Sequence, residues 1–450
     1  MSKKIFYGLG NLSYSVIGQT VSNFFMFFAT SVLGLSGTLV GIAVSISTIW
    51  DGASDTLFGY ISDKYPIGKF GNRNGYMLIA TIGMSIVNIA LWCIPNSINV
   101  GLKFVWILLS LLLLETFNTM FATPYMALGN ELAASYDDRT KINATSTIFY
   151  LIGIIIPSIL LVIFLPNTEE YPVGQLNPNG YKSISIVTSA ICIVCGLLAS
   201  MLTIPKITKS KETKPKNDEK LSLKVLFNNF LKAFKDKNLC RIIIGYVLTS
   251  VATVFLCSVG LHFFTYSFFY TSKQITFLLL TLMLGTIISQ PLWVFISHKK
   301  RKTRALVAGI IMTALSVFGV MFVYLFRIQI YDISYILMLI AIFVCGLGSG
   351  ALYSLPSSIY GDLIEDICKD KENLTATYSG TLTFASNIGN SIAQLVVGVL
   401  LDIIHFDSSE TVQTLGVQTG LALILFIGVQ VSLILSCFIF AGHKEKYNNN

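Results

Sequence analysis

Residues 49–73 read IWDGASDTLFGYISDKYPIGKFGNR, and how this stretch is read decides the fold. Asp51 and Asp55 stand four residues apart, about one helical turn, so on a helix both carboxylates share a face. Residues 39–49 before them, joined to 51–62, are apolar enough and long enough for a membrane span. An ionised carboxylate in hydrocarbon is costly, and two adjacent ones more so. The pair therefore implies a wet cavity in which the two acids share a proton or hold a cation. The span closes on a loop carrying Lys64, Lys69 and Arg73, as a cytoplasmic loop does.

The rest of the composition agrees with a membrane protein. The chain is 54% hydrophobic and 12% charged, with a mean hydropathy of +0.71, where soluble domains carry about 25% charged residues. The net charge of +8 needs no nucleic acid to explain it. Apart from Lys103, Lys182, Lys273 and Arg327, the Lys and Arg residues fall in alternate loops. That bias predicts a multi-pass protein of the cell membrane with both termini and the central loop in the cytoplasm. The eight cysteines are scattered; Cys192 and Cys195 form a CxxC without a second pair, inside an apolar run. They read as small packing residues, not as a metal or redox centre. The first apolar run is too long for the core of a secretion signal, so no leader is expected.

Twelve runs near or above the roughly 20 residues that span a bilayer can be picked out. They cover about 7–34, 38–61, 76–95, 102–129, 143–165 and 183–204, then 242–268, 274–297, 305–327, 333–360, 376–403 and 416–441. The expected fold is all-α: two pseudo-symmetric six-helix bundles, residues 1–204 and 242–442. Residues 205–241 form a cytoplasmic linker between them and 443–450 a cytoplasmic tail. Within the linker, Leu223, Val225, Leu226, Phe230, Leu231 and Phe234 alternate with lysines, the pattern of an amphipathic helix on the membrane surface. The halves also echo each other. Tyr60-Ile-Ser-Asp-Lys64 closes the second run and Phe295-Ile-Ser-His-Lys299 the eighth, as parallel repeats of an alternating-access transporter would.

These motifs resemble the major facilitator superfamily, and within it the glycoside–pentoside–hexuronide:cation symporters, the melibiose permease-like group. The similarity rests on Ile49-Trp50-Asp51-Gly-Ala-Ser54-Asp55 with Gly59 and Gly68-Lys69-Phe70. Tyr7-Gly8-Leu9-Gly10, Gly34-Leu35-Ser36 and Thr123-Pro124-Tyr125 with Arg139 add to it. It implies twelve transmembrane helices and a coupling cation, Na+, Li+ or H+, bound at the positions matching Asp51, Ser54, Asp55 and Thr119. Carboxylates and hydroxyls are the hard oxygen ligands that Na+ prefers. No cofactor is implied beyond this coupling ion, and no other metal.

Other parts of the family pattern are absent. The family's sugar-reading Asp, Asp and Arg fall on Ser15, Ala122 and Thr147, an aromatic falls on Met126, and an eleventh-helix Lys falls at Ser386 or Asn387. The substrate is therefore not transferred. Glu115 lies one turn before Thr119 on the same face and adds a third acid to the candidate cation site. Asn11, Tyr14, Ser15, Gln19 and Asn23 of the first run and Tyr150 of the fifth are the candidate substrate contacts, since several recur at helical spacing. Interhelical polar bonding would explain the same pattern. His262 reads as a hydrogen-bonded histidine or as a proton relay. Asp63, Lys64, Lys69 and Arg73 are gating candidates by resemblance, with Asp362, Glu365 and Asp366 as partners.

Together these features predict a monomeric secondary transporter, not an enzyme, that moves a small hydrophilic solute with Na+ or H+. A sugar or sugar derivative is the default by resemblance. A non-sugar solute, a lipid cargo or a polytopic membrane enzyme are the alternatives. No nucleophile–base pair, His/Cys metal set or phosphate loop supports the last of these.

Overall fold

The computed structural model describes residues 2–65, 67, 71–95, 97–132, 136–203, 236–299, 301–368 and 375–442. Its long helices number twelve among these residues. In chain order they are α1 (Ser2–Phe27), α2 (Gly37–Lys64), α3 (Gly71–Trp92), α4 (Val100–Leu132), α5 (Tyr136–Phe164), α6 (Pro178–Leu202), α7 (Lys237–His262), α8 (Ser272–Lys299), α9 (Lys302–Phe326), α10 (Tyr331–Cys368), α11 (Thr375–Ile403) and α12 (Leu415–Ala441). Most of the linker assigned to 205–241, its amphipathic stretch included, lies outside the described residues, as does the tail from 443 on.

Among the described residues, ten of the twelve helices are long and apolar enough to cross a membrane, α1 and α2 being the two that fall short. The reason is their polar load. α1 carries Asn11, Ser13, Ser15, Gln19, Thr20, Ser22 and Asn23, and α2 carries Ser45, Ser47, Thr48, Asp51, Ser54 and Asp55. The helices least suited to lipid are thus those that carry the candidate substrate residues of α1 and the acid pair of α2. Several helices outrun their apolar runs, α10 most of all: it continues past residue 360 through Gly361 and Asp362 to Cys368. Hydropathy marks the bilayer slab and not the helix end. Pro124, Pro157, Pro291 and Pro356 sit inside helices, which membrane spans tolerate better than soluble helices do.

The chain divides into two compact units. One comprises Met1–Leu35 and Ile42–Ser222, the other Ser36–Gly41 and Leu223–Asn450. In the first, α1 packs on α5 and α6, and α3 on α4 and α6. In the second, α7 packs on α11 and α12, and α9 on α10 and α12, which is the same pattern six helices later. Inside the second unit the Asp402 carboxylate caps the first turn of α2, accepting from Gly37 N (2.7 Å) and Thr38 N (2.9 Å).

The internal repeat extends to backbone detail. α1 runs into a π-helical turn at Phe28–Val32 and α7 into one at Phe263–Ser267. Leu35 N then reaches back to Ala29 O and Tyr270 N to Phe264 O, both at 3.1 Å. The residue between turn and helix takes positive φ in both copies, Gly34 at 69° and Phe269 at 56°. α2 and α8 follow, each 28 residues long.

Candidate cation site between α2 and α4

Two helices meet at the candidate site through hydroxyl groups. Ser54 on α2 has no exposed surface and Thr119 on α4 almost none. Ser54 Oγ donates to Thr119 Oγ1 (3.0 Å), and Thr119 Oγ1 donates to the Asp51 carboxylate (3.1 Å). The same Ser54 hydroxyl lies 3.0 Å from the Asp51 carbonyl oxygen. The i, i+3 spacing of Asp51 and Ser54 puts both on the α2 face that meets α4. One turn toward the N-terminal end of α4, Trp50 Nε1 donates to Thr116 Oγ1 (2.8 Å) and fixes the register of the two helices. Asp55 and Glu115 both lie within electrostatic reach of Asp51.

Glu115 is held by its own neighbour: Asn118 Nδ2 donates to Glu115 Oε2 at 3.4 Å. The Asn118 carboxamide oxygen is covered and accepts no hydrogen bond. Trp50, Thr116 and Asn118 were not foreseen, although 115–119 reads ETFNT, a polar patch within an apolar run. Among the described residues no three His, Cys, Asp or Glu side chains are close enough to ligate one metal ion. A cation held here would draw on hydroxyl and carbonyl oxygens as well as on carboxylates.

The candidate substrate residues fall into a second cluster in the same unit. Tyr7 stacks on Tyr125 with ring centroids 4.3 Å apart, and each tyrosine hydroxyl donates to the other residue's backbone oxygen. Gly8 and Gly10 of the YGLG motif make room for this: a Cβ at Gly8 would meet the Phe149 ring and one at Gly10 the Tyr125 ring. Asn11 Nδ2 donates to Ser146 Oγ (2.8 Å) and Ser146 O (3.2 Å). Tyr14 lies against Phe121 and Tyr125. Ser15 is buried where α1 meets Gly153 of α5, its hydroxyl turned to Leu12 O. Gln19 donates to Asn23 Oδ1 (3.0 Å), and Tyr150 is 40% exposed. Asn11 and Ser15 therefore sit at helix contacts, whereas Tyr150 presents open surface.

Of the gating candidates, Arg73 Nε donates to Glu131 Oε1 (2.6 Å) within its own unit. Asp362 pairs with Lys302 of the second unit, which also donates to Ser358. Lys69 lies outside the described residues, and so do the side chains of Asp63, Lys64, Glu365 and Asp366. His262 is fully buried in the second unit, with Nδ1 3.2 Å from Ser258 O and the edge of Phe406 against its ring.

Comparison with known proteins follows the same lines. The chain is 22% identical over 478 residues to the sodium-dependent lysophosphatidylcholine symporter 1-B of Danio rerio, covering 99% of this chain and 88% of that one. It is 22% identical over 230 residues to the isoprimeverose transporter of Lactiplantibacillus pentosus, covering 51% of this chain and 47% of that one. An uncharacterized symporter of Synechocystis, sll1374, matches at 27% over 193 residues, 42% of this chain and 35% of that protein. Among solved structures, the nucleoside transporter NupG superposes with a TM-score of 0.69 at 14% identity, covering 99% of this chain and all of that one. The inward-open xylose transporter XylE of E. coli gives 0.67 at 12%, covering 100% and 97%. These likenesses show the major facilitator fold. Residues 6–442 match the family described as MFS/sugar transport protein, so this chain belongs to that family of multi-pass membrane transporters.

Proposed function

We propose that the chain is a cation-coupled symporter of a small hydrophilic solute, a sugar or sugar derivative by family. It works by alternating access in the cell membrane, with both termini cytoplasmic and residues 1–204 and 242–442 as its two bundles. Na+ or H+ is carried at Asp51 and Asp55, with Ser54 and Thr119 as neutral oxygen donors and Glu115 as an accessory acid. The observation that carries this reading is the bonded chain Ser54–Thr119–Asp51. It joins hard oxygen atoms from two helices where an apolar span would otherwise gain nothing from an acid. The relatives named sodium-dependent symporters and a sugar transporter support it.

A second reading, a lysolipid cargo, is favoured by the near full-length match to the lysophosphatidylcholine symporters. Thermal unfolding of the purified chain with Na+ or choline chloride, at two pH values and with xylose, isoprimeverose or lysophosphatidylcholine, separates the readings. Anything that binds the native state raises the apparent stability by mass action. Stabilisation by Na+ that disappears in Asp55→Asn supports the coupling site. An equal response of both proteins refutes it.

A further inference from the structure

The second unit carries no Asp, Glu, Lys or Arg between Ile242 and Leu261 on α7 or between Thr375 and Leu401 on α11. Yet its α7–α11 seam is polar. Ser250 Oγ lies 3.0 Å from Ser386 Oγ, and two turns further along both helices Ser258 Oγ donates to Gln394 Oε1 at 3.0 Å. Midway on α11, one turn from each, stands Asn390, close to the middle of the apolar span Gly380–Ile403. Its carboxamide oxygen is covered and accepts nothing, and the side chain makes no hydrogen bond among the described residues. Gln394 spends only its oxygen, since its amide nitrogen has no acceptor there either.

The three other covered carboxamide oxygens without a donor on the twelve helices do not repeat this arrangement. Asn11, Asn118 and Gln430 each have the amide nitrogen anchored, to Ser146, Glu115 and Ala314 O respectively. Asn390 is anchored at neither end. A carboxamide in an apolar span is expensive unless both its donor and its acceptor find partners. Asn390 is half-buried, and a 180° turn of its amide exchanges oxygen and nitrogen, so either can face an incoming group.

We infer that Asn390 and Gln394, flanked by Ser250 and Ser258, form a neutral subsite that binds an uncharged, hydroxyl-bearing ligand. A hydroxyl both donates and accepts, so adjacent hydroxyls of a sugar-like or nucleoside-like solute satisfy Asn390 at both ends and leave an acceptor for Gln394 Nε2. A phosphate or a quaternary ammonium finds no counter-charge on this seam. Helices α8, α9, α10 and α12 add none, because they lack Asp, Glu, Lys and Arg over 274–297, 305–326, 333–361 and 415–441. The subsite rests on the transport reading but not on the cation site, which lies in the other unit.

The test uses the full-length protein in detergent and in proteoliposomes, with xylose, isoprimeverose and uridine as neutral probes and lysophosphatidylcholine as the charged one. At least one neutral probe is expected to stabilise the parent protein. Asn390→Ala and Gln394→Ala should each raise the KM for its uptake about tenfold, the factor that one lost hydrogen-bonded pair is worth in binding. Their Na+-induced stabilisation should stay at the parent value. Asn390→Gln should recover part of the loss. The subsite is overturned if no neutral probe stabilises the parent protein, if only lysophosphatidylcholine does, or if Asn390→Ala lowers thermal stability and leaves KM unchanged, as filling by a structural water would. A missing Na+ response alongside an intact solute response would remove the coupling site and leave this subsite standing.

Discussion

α2 and α8 are the same helix built twice. Each is 28 residues long, each follows a π-helical turn and a residue of positive φ, and each ends in Ile-Ser-x-Lys. Aligned on those ends, Asp51, Ser54 and Asp55 of α2 fall on Thr286, Ser289 and Gln290 of α8. In α8 the polar groups are spent on packing. Gln290 Nε2 donates to Gly350 O (3.2 Å), Trp293 Nε1 to Leu347 O (2.7 Å), and Thr286 and Ser289 turn back to their own helix. Gly346 and Gly350 let α10 approach α8, while Gly348 faces Thr313 and Gly309 of α9; a Cβ on Gly346 would strike Leu282 O and one on Gly350 the Ser289 hydroxyl. Where α10 offers Gly350 to Ser289, α4 offers Thr119 to Ser54. One copy thus closes on glycine and the other on hydroxyls and acids. A duplicated backbone can keep its geometry while only one half retains charge.

The largest expected effect comes from removing that charge. Asp51→Asn keeps the shape and a Thr119 partner but loses an anion, and with it the reason for a cation to bind. Concentrative uptake should fall at least a hundredfold, about 2.7 kcal/mol, with the fold intact by circular dichroism. The reciprocal change, Gln290→Asp, puts an acid into the copy that has no use for one. It removes the donor to Gly350 O and buries a charge beside a carbonyl oxygen, at a cost of about 3–5 kcal/mol if the acid stays ionised. Chemical unfolding should show it as more damaging to stability than Asp51→Asn; the reverse order would mean that the copies do not differ in the way described.

Next in size is the glycine seam. Gly346→Ala directs a methyl group at a backbone oxygen that cannot swing aside. Overpacking of this kind costs about 1–3 kcal/mol. Ser54→Ala in the other copy removes one hydroxyl bridge, about 1 kcal/mol. If Ser54→Ala proves the more destabilising of the two, the first unit depends on its polar contact more than the second does on close packing.

How much of this contrast could be read in advance follows from its physics. The twelve helices were legible because burial in lipid demands long apolar runs, strict in ten of them and diluted by polar residues in α1 and α2, and the repeat was legible where Ile-Ser-x-Lys recurs. Asp51, Ser54 and Asp55 were legible as one face because their spacing is helical and an acid is conspicuous among apolar residues. Thr119 came from family resemblance, and the structure bonds it to both Ser54 and Asp51. The Trp50–Thr116 bond, the Asn118 cradle of Glu115 and the unanchored Asn390 were not legible. Each depends on how one helix is rotated against another, which hydropathy does not record. The same holds for Asn11, whose bonds to Ser146 place it at a contact between α1 and α5. Extension of α10 to Cys368 was not legible because Asp362, Glu365 and Asp366 interrupt the apolar run there.

Charge at the helix ends offers a smaller test. Arg73–Glu131 in the first unit and Lys302–Asp362 in the second tie the start of one helix to the end of the next at matching places, α3 to α4 and α9 to α10. Exposed pairs of this kind are worth about 0–1 kcal/mol. Arg73→Ala should therefore leave the melting temperature within about 2 °C. Its effect, if the pair takes part in gating, appears as slower transport at unchanged stability. Lys4–Asp138 behaves likewise at acid pH. The lysine ammonium bonded to Asp138 holds that carboxyl below the usual range. A carboxyl lowered on folding contributes stability above its unfolded pKa of about 4, lost as pH falls through the depressed value. Lys4→Met should flatten that part of an acid titration of stability, and added salt should mimic the substitution.

The smallest expected shift, that of Phe269→Gly, tests the repeat at the turn before α2 and α8. Gly34 and Phe269 occupy the same left-handed conformation, which glycine adopts freely and a side chain does not. Gly34→Ala should cost about 1 kcal/mol. Phe269→Gly relieves a similar strain but gives up a ring that is already 53% exposed and frees the unfolded chain. The terms nearly cancel, so its unfolding midpoint should barely move while that of Gly34→Ala falls. Equal losses from the two substitutions would show that Phe269 is held by contacts of its ring, and that the second copy of the turn has replaced backbone freedom with side-chain packing.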